Sequence, residues 1–354
     1  MPRKILPSIR QIRYTRLLMN VLGIETTCDE TAVSVVRDGQ EILSNVISSQ
    51  AEVHQQFGGV YPEMASRQHV DLLIPTVDEA LRVAGLKREE IDLIAVAKGP
   101  GLIGPLLIGL NGAKALSLAW EIPFIGVNHV EAHLYAAMMS NQNYLFSSLG
   151  VVISGGHTFL TRILDVGSYE QIGTTVDDAI GEAFDKVASL LDLPYPGGPE
   201  VEKLAKGGDP SRFPFKAGRV KGQPWDFSFS GLKTNVLYAI KGQNGDKKGI
   251  TKISEEEKRD VAASFQEVAL GDVCNKAMRA AKEFDCGAIY VGGGVSQNRR
   301  LREMFDESEA PCPIYWPSRD LCLDNGAMIA GLGFHKFKSQ GDPLDLEPLT
   351  RIPL

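Results

Sequence analysis

The sequence predicts an α/β protein built as a duplication, with two lobes facing each other across a cleft. Three observations carry that reading. A triplet of strand-like segments occupies residues 20–50, and a second triplet with the same rhythm occupies 149–173. Each triplet is followed, after helical stretches, by a helix–strand–helix unit. Each of those units has a glycine turn after its strand, Gly99 and Gly101 in the first half and Gly292, Gly293 and Gly294 in the second. Backbone N–H groups at such turns can hold phosphates. Strand triplet plus helix–strand–helix, occurring twice, is the pattern of the actin/sugar-kinase/Hsp70-like fold.

In chain order, NVLGIET is an apolar strand and TAVSVVRD alternates. Asp38-Gly39 is a hairpin signal, and EILSNVIS follows. The helix TVDEALRVAG precedes the strand IDLIAVAK, the first glycine turn and another helix. The second half opens with SLGVVIS, then Gly155-Gly156, TFLTRIL, a turn near Gly167 and YEQIG. The long helix VAASFQEVALGDVCNKAMRAAKEF precedes GAIYV, the second glycine turn and NRRLREMF. The expected division is a basic, disordered extension at 1–18, a first lobe at 19–148, and a second lobe at 149–354 with an insertion at about 194–250.

Composition narrows the function classes. A hydrophobic content of 44% and a charged content of 23% suit a globular protein with a real core. The net charge of −7 means that any nucleic-acid contact must come from a local patch or a partner. Cys28, Cys274, Cys286, Cys312 and Cys322 are scattered and form no CxxC pair, which argues against a disulfide framework or a cysteine zinc site and fits a reducing cytoplasm. No apolar run approaches the ~20 residues of a membrane span. Residues 1–18 carry Arg3, Lys4, Arg10, Arg13 and Arg16 and no acid. The alternative to a disordered extension is a mitochondrial transit peptide, but such peptides are serine-rich and this segment has one serine.

The most informative short run is Asn128-His129-Val130-Glu131-Ala132-His133. On a helix the two histidines project about 40° apart, so both imidazoles face one direction at metal-ligand spacing. The run resembles the metalloprotease motif HExxH, but its glutamate is misplaced. Glu131 projects about 200° from His129, away from any metal held there, and cannot activate water on it. The run Gly99-Pro100-Gly101-Leu102-Ile103-Gly104 matches GxGxxG literally, yet the next strand ends in Asn128 and His129, where dinucleotide binding needs an acid. No GxxxxGK[ST] phosphate loop is present. Between 194 and 250, Phe213, Phe215, Trp225, Phe227 and Phe229 lie among Arg212, Lys216, Arg219, Lys221 and Lys233. Such a stretch either stacks bases and pairs phosphates or packs as a subdomain with a basic rim; the sequence leaves both open. GQNGDKKG at 242–249 reads as an exposed loop.

Nine motifs in fixed order make the chain similar to the tRNA threonylcarbamoyladenosine-forming transferases, the TsaD family. They are GIETTCDET (23–31), YPEMASRQH (61–69), KGPGLIGPLLIG (98–109), NHVEAH (128–133), VISGGHT (152–158), DDAIGEAFDKVASLLDLPYPGGP (177–199), FSFSGLKT (227–234), GGGVSQNRRLR (292–302) and LDNGAMIA (323–330). The resemblance implies a divalent metal, Fe²⁺ with Zn²⁺ or Mg²⁺ as alternatives, held by His129, His133 and Asp324. That 2-His-1-carboxylate set leaves positions open for substrate oxygens. It implies that threonylcarbamoyl-AMP is gripped by the turn Val152, Ile153, Ser154, Gly155 and Gly156, and by Asp185, Gly198 and Asn298. Asp185 suits ribose hydroxyls as an acceptor. One departure stands beside the metal aspartate, where the family commonly has threonine and this chain has Leu323. A lost hydroxyl there removes a hydrogen bond behind the ligand.

The implied reaction is acyl transfer to the exocyclic amine of the adenosine just 3′ of the anticodon, in tRNAs reading codons that begin with A, with release of AMP. Asp29 and Glu30, after the first strand, are the candidates for taking the amine's proton or placing the tRNA. The alternatives are an actin-fold ATPase or kinase, or a nucleotide-binding scaffold of a tRNA-modification complex. Actin-fold phosphotransferases usually hold Mg²⁺ with an aspartate on the first strand, where this chain reads Ile24-Glu25-Thr26. For bacterial members the resemblance implies a TsaB-like non-catalytic paralogue and a TsaE-like ATPase; for an organellar member it implies a homodimer.

Overall fold

A computed structural model describes residues 18–139, 144–241 and 253–352. Among these residues the chain forms two five-stranded sheets of identical design. In the first, β1 (Asn20–Glu25), β2 (Glu30–Arg37) and β3 (Glu41–Ser49) form an antiparallel meander. Asp38 and Gly39 both take positive φ at the tight turn between β2 and β3. After the short helix α1 (Ala51–Gln55) and the long helix α2 (Pro62–Ala84), strand β4 (Leu93–Gly99) adds parallel to β1. Helix α3 (Ile103–Trp120) leads to β5 (Phe124–Asn128), parallel to β4. Helix α4 (His129–Met139) follows with no intervening residue.

The second sheet repeats the scheme. Strands β6 (Ser148–Ile153), β7 (Thr158–Asp165) and β8 (Ser168–Thr174) form the meander. Then come α5 (Ile180–Leu190), α6 (Gly197–Ala205), α7 (Ser230–Lys241) and α8 (Glu255–Glu283). Strand β9 (Ile289–Gly292) pairs parallel to β6, α9 (Arg299–Glu307) follows, and β10 (Ile314–Tyr315) pairs parallel to β9. The final helix is α10 (Gly326–Lys336). The strand orders, β3-β2-β1-β4-β5 and β8-β7-β6-β9-β10, are the same, so the duplication read from the sequence is present in the topology.

Two of the sequence boundaries differ. The helix expected over TVDEALRVAG begins a full fourteen residues earlier, at Pro62, whose missing N–H costs nothing in a first turn. It stops at Gly85, which takes the left-handed conformation at φ 67°. The segment 149–354, expected as one lobe, is divided in space. Helix α10 lies on β1 and β2 of the first sheet, so closely that a Cβ at Gly23 would strike Gly326 and Ala330. The chain beyond α10 stays there: Asp342 N–H donates to Phe124 O at 2.7 Å, and Leu349 N–H donates to Lys98 O at 2.8 Å.

Three cores result. One lies under α2 and α3 on the outer face of the first sheet, with Leu22, Ile24, Val33, Leu73 and Leu110. One fills the second lobe around Phe184, Phe227, Phe229 and Phe265. The third is shared, with α4 and α10 sandwiched between residues of both sheets such as Val21, Leu93, Ile163 and Tyr290. The insertion belongs to the second-lobe core. Trp225, Phe227 and Phe229 are 9%, 0% and 1% exposed, so these three aromatics are not available for stacking bases. Lys276 sits 4.5 Å over Phe227, and the Arg279 guanidinium sits 5.3 Å over Trp225. The expected loop at 242–249 and the extension at 1–17 lie outside the described residues. Among the described residues no helix is long and apolar enough to cross a membrane.

Candidate metal centre and cleft

The shared core places the histidines. Helix α4 starts where β5 ends, and Asn128 Oδ1 accepts hydrogen bonds from the N–H groups of Val130 (2.9 Å) and Glu131 (3.3 Å), satisfying donors that the first turn leaves open. Every residue of α4 is buried. The end of β9 runs so tightly against it that a Cβ at Gly292 would meet the carbonyl of His133. His129 and His133 therefore emerge from a buried, closely packed helix.

Asp324 reaches them from the loop before α10. Asn325 holds that loop: its Nδ2 donates to Leu323 O (2.8 Å) and Leu321 O (3.2 Å), and its Oδ1 caps α10 by accepting from Met328 N–H (2.9 Å). Leu323 itself points outward, half exposed, with Gly294 as a neighbour. The family's threonine is thus replaced at a position whose backbone, rather than its side chain, is what Asn325 grips.

Asp324 Oδ1 lies 3.1 Å from His133 Nε2 and 3.6 Å from His129 Nε2, and one ligand atom from each of the three residues falls within 4.8 Å of the others. Two donors each about 2.1 Å from one ion and at right angles to one another are about 3 Å apart, so the spacing fits a shared cation. Both ring nitrogens of His133 are buried without a hydrogen bond; Nε2 is near Asp324 but not aligned on it. An imidazole left in that condition is costly unless its lone pair meets a metal. The donor set fits a divalent ion with open coordination positions.

The electrostatics agree. Burial works against the charge of Asp324, but His129 and His133 hold its carboxyl far below the usual range. Burial also opposes the charge of His129, yet the Glu25 and Asp324 carboxylates outweigh it and lift the imidazole to about 9. His157 is lowered to about 4 by burial and then by the charges of His129 and His133.

Glu131 turns away, as its projection requires, and pairs with Lys336 of α10. Sequence reasoning missed three contributors. In the sequence Glu25 merely departs from the phosphotransferase aspartate, yet its Oε2 accepts a hydrogen bond from His129 Nδ1–H at 2.8 Å. Nothing in the sequence sets His157 apart within VISGGHT, or Asn325 beside the expected ligand.

Of the remaining residues, Asp29, Glu30 and Asp185 lie near enough to interact electrostatically, whereas Val152, Ile153 and Asn298 are buried. Asp29 and Glu30 stand by Asp324; burial, then Asp324 and Asp29, push the Glu30 carboxyl well up. Asp185 lies opposite, raised to about 6 by burial, with its Oδ1 accepting from Gly197 N–H at 2.7 Å. Tyr195 stands among them, its phenol raised by burial and then by Asp29 and Asp185. Gly155, Gly156 and Gly198 have no atom within 4 Å of where a Cβ would sit, so they face open space. Val152 and Ile153 bury their side chains in the cores, leaving only their backbone to a ligand. Ser154 Oγ accepts from His157 N–H at 3.1 Å, closing the turn. Asn298 is committed elsewhere: its Oδ1 caps α9 through Leu301 N–H (3.1 Å), and its Nδ2 donates to Gln266 (3.0 Å).

The family model described as tRNA N6-adenosine threonylcarbamoyltransferase matches residues 41–331. A protein of that name from Protochlamydia amoebophila (strain UWE25) is 59% identical over 339 residues, which cover 95% of this chain and 98% of that protein. Among solved structures, full-length HypF in a phosphate- and nucleotide-bound form aligns with a TM-score of 0.59 at 16% identity, over 89% of this chain and 46% of its own. Component A of (R)-2-hydroxyglutaryl-CoA dehydratase from Acidaminococcus fermentans aligns with a TM-score of 0.50 at 15% identity, over 90% and 98%. These two share the actin-like ATPase fold with this chain.

Proposed function

The chain belongs to the TsaD family of tRNA N6-adenosine threonylcarbamoyltransferases, and from that membership we propose how its cleft performs the transfer. The enzyme moves the threonylcarbamoyl group from threonylcarbamoyl-AMP to the exocyclic amine of the adenosine 3′ of the anticodon. A C–N bond forms at the carbamoyl carbon, the bond from that carbon to the phosphate oxygen breaks, and AMP leaves. The alternatives of an ATPase, kinase or scaffold are not favoured by the family.

The observation that carries the reading is the convergence of His129, His133 and Asp324 on one point, the histidines buried and the aspartate partly so. These residues would hold a divalent ion, Fe²⁺ first among candidates, supplying Lewis acidity toward the carbonyl oxygens of the acyl group. The open glycines Gly155, Gly156 and Gly198 let a backbone approach the adenylate, and Asp185 is the acceptor for its ribose. Glu30, with its raised carboxyl, suits the proton that the attacking amine must lose, and Asp29 supports it. AMP is already a good leaving group, so positioning matters more than acid catalysis.

For tRNA, the aromatics that remain accessible in the insertion are the half-buried, stacked pair Phe213 and Phe215 and the exposed Tyr238, which line a groove of about 370 Å³ with Lys216. Arg212, Arg219 and Lys221 are exposed nearby in the sequence. For a protein partner, a TsaB-like paralogue or a second copy of the chain, exposed apolar residues one turn apart stand on two packed helices: Val70 and Ile74 on α2, Ile103 and Leu107 on α3. A TsaE-like ATPase completes the proposed set.

The test is incubation with threonylcarbamoyl-AMP and unmodified tRNA, with and without a chelator, followed by nucleoside mass spectrometry. Threonylcarbamoyladenosine should appear, and it should vanish with the chelator and with His129→Ala. Product formation indifferent to both would remove the metal from the mechanism.

A further inference from the structure

Glu25 ends β1 with its side chain wholly buried, and both of its carboxylate oxygens are occupied. Oε1 accepts from Thr27 N–H at 2.6 Å, and Oε2 accepts from His129 Nδ1 at 2.8 Å. A carboxylate can only accept, so Nδ1 keeps a proton, and Nε2, 3.6 Å from Asp324, is the nitrogen whose proton an arriving ion would displace. His133 has no such support, since neither of its ring nitrogens makes a hydrogen bond. We infer that Glu25 is a positioning residue of the metal site: it fixes the tautomer and ring angle of His129, so that the site is assembled before the ion arrives.

The inference rests on the reading of His129, His133 and Asp324 as metal ligands. The physical reason is general. A histidine ligand whose far nitrogen donates to a carboxylate is oriented and made a stronger donor. Here the supporting group comes from a strand far away in sequence, and it is itself held by the Thr27 amide. The same arrangement removes Glu25 from phosphate chemistry. The acid at the place where actin-fold phosphotransferases present one to Mg²⁺ is taken up by an imidazole, and the residues present would hold a metal through the ring's other nitrogen.

The decisive variant is Glu25→Gln. A glutamine can keep an acceptor toward one donor but must turn its NH₂ toward the other, so His129 or the Thr27 amide loses its partner. Zn²⁺ titration against a chromophoric chelator should show affinity lower by about 10- to 100-fold than in the wild type. Transfer activity lost at limiting Zn²⁺ should return as Zn²⁺ is raised, which a merely disrupted fold would not allow. His129→Ala serves as the control for a missing ligand. Wild-type affinity in a folded Glu25→Gln protein overturns the inference while leaving the metal reading intact. Absence of Zn²⁺ binding by the wild type overturns both. Should the variant not fold, ¹⁵N-histidine NMR of the Zn²⁺-loaded wild type decides: the inference requires His129 to carry its proton on Nδ1, and a proton on Nε2 sinks it.

Discussion

Glu131 stands between the two histidines in the chain but not in space. Its carboxylate is buried against Lys336, and the 3.6-residue period alone put it there. Glu131→Ala should therefore keep Zn²⁺ affinity while costing about 1–3 kcal/mol of stability, between an exposed and a buried pair, because Lys336 can partly rehydrate. His129→Ala and His133→Ala should each abolish metal binding and tRNA modification. Metal titrations beside thermal melts separate the two outcomes, and metal loss in a folded Glu131→Ala protein contradicts the geometry. Asp185 allows a second check at this scale. Burial lifts it to about 6, so below that pH it is neutral and a poorer acceptor for ribose hydroxyls. Calorimetry with a stable adenylate analogue should show affinity rising with pH through about 6, and Asp185→Asn should flatten the profile; an unchanged profile in the variant would assign the pH dependence to another group. What the sequence could not reveal here is Glu25. Nothing local marks a glutamate at a strand end as the partner of an imidazole that only tertiary structure brings within 2.8 Å.

At the scale of elements, the strands were the most legible feature. β1, β4, β6 and β9 are buried on both faces and read as unbroken apolar runs. The insertion was ambiguous for a physical reason: aromatics beside basic residues look the same whether cations cap buried rings or flank exposed ones. Lys276 over Phe227 shows the first arrangement, with a cation the stretch itself does not contain. Phe227→Ala should cost about 3–5 kcal/mol of stability, with no selective effect on tRNA in the protein that remains folded. Replacing Arg219 and Lys221 together should do the reverse: weaken tRNA binding and spare the adenylate analogue. With about three phosphates neutralised, log affinity against log salt should slope at roughly −2 to −3. Filter binding across a salt series measures it; tight binding insensitive to salt and to the double substitution would put the RNA surface elsewhere. Helix α10 shows a different limit. It is apolar nearly all round, and such a helix announces burial without naming the sheet it will join.

For the whole molecule, the net charge of −7 gives weak long-range attraction to tRNA, which suits the proposal that partners help to recruit it. Removing residues 1–18 should leave folding and transfer in vitro unchanged, since that segment is basic and has no apolar period. Insoluble or inactive protein after that truncation would make the segment structural. The return of α10 to the first sheet has a consequence in time as well as space. On the ribosome, the first lobe must wait, β1 and β2 uncovered on one face, until the whole of the second sheet has been made. Asp324 arrives in the same stretch that covers that face. Completing the fold and completing the proposed metal site are thus one event, and a nascent chain cut short before it holds two histidines without Asp324 to close the set.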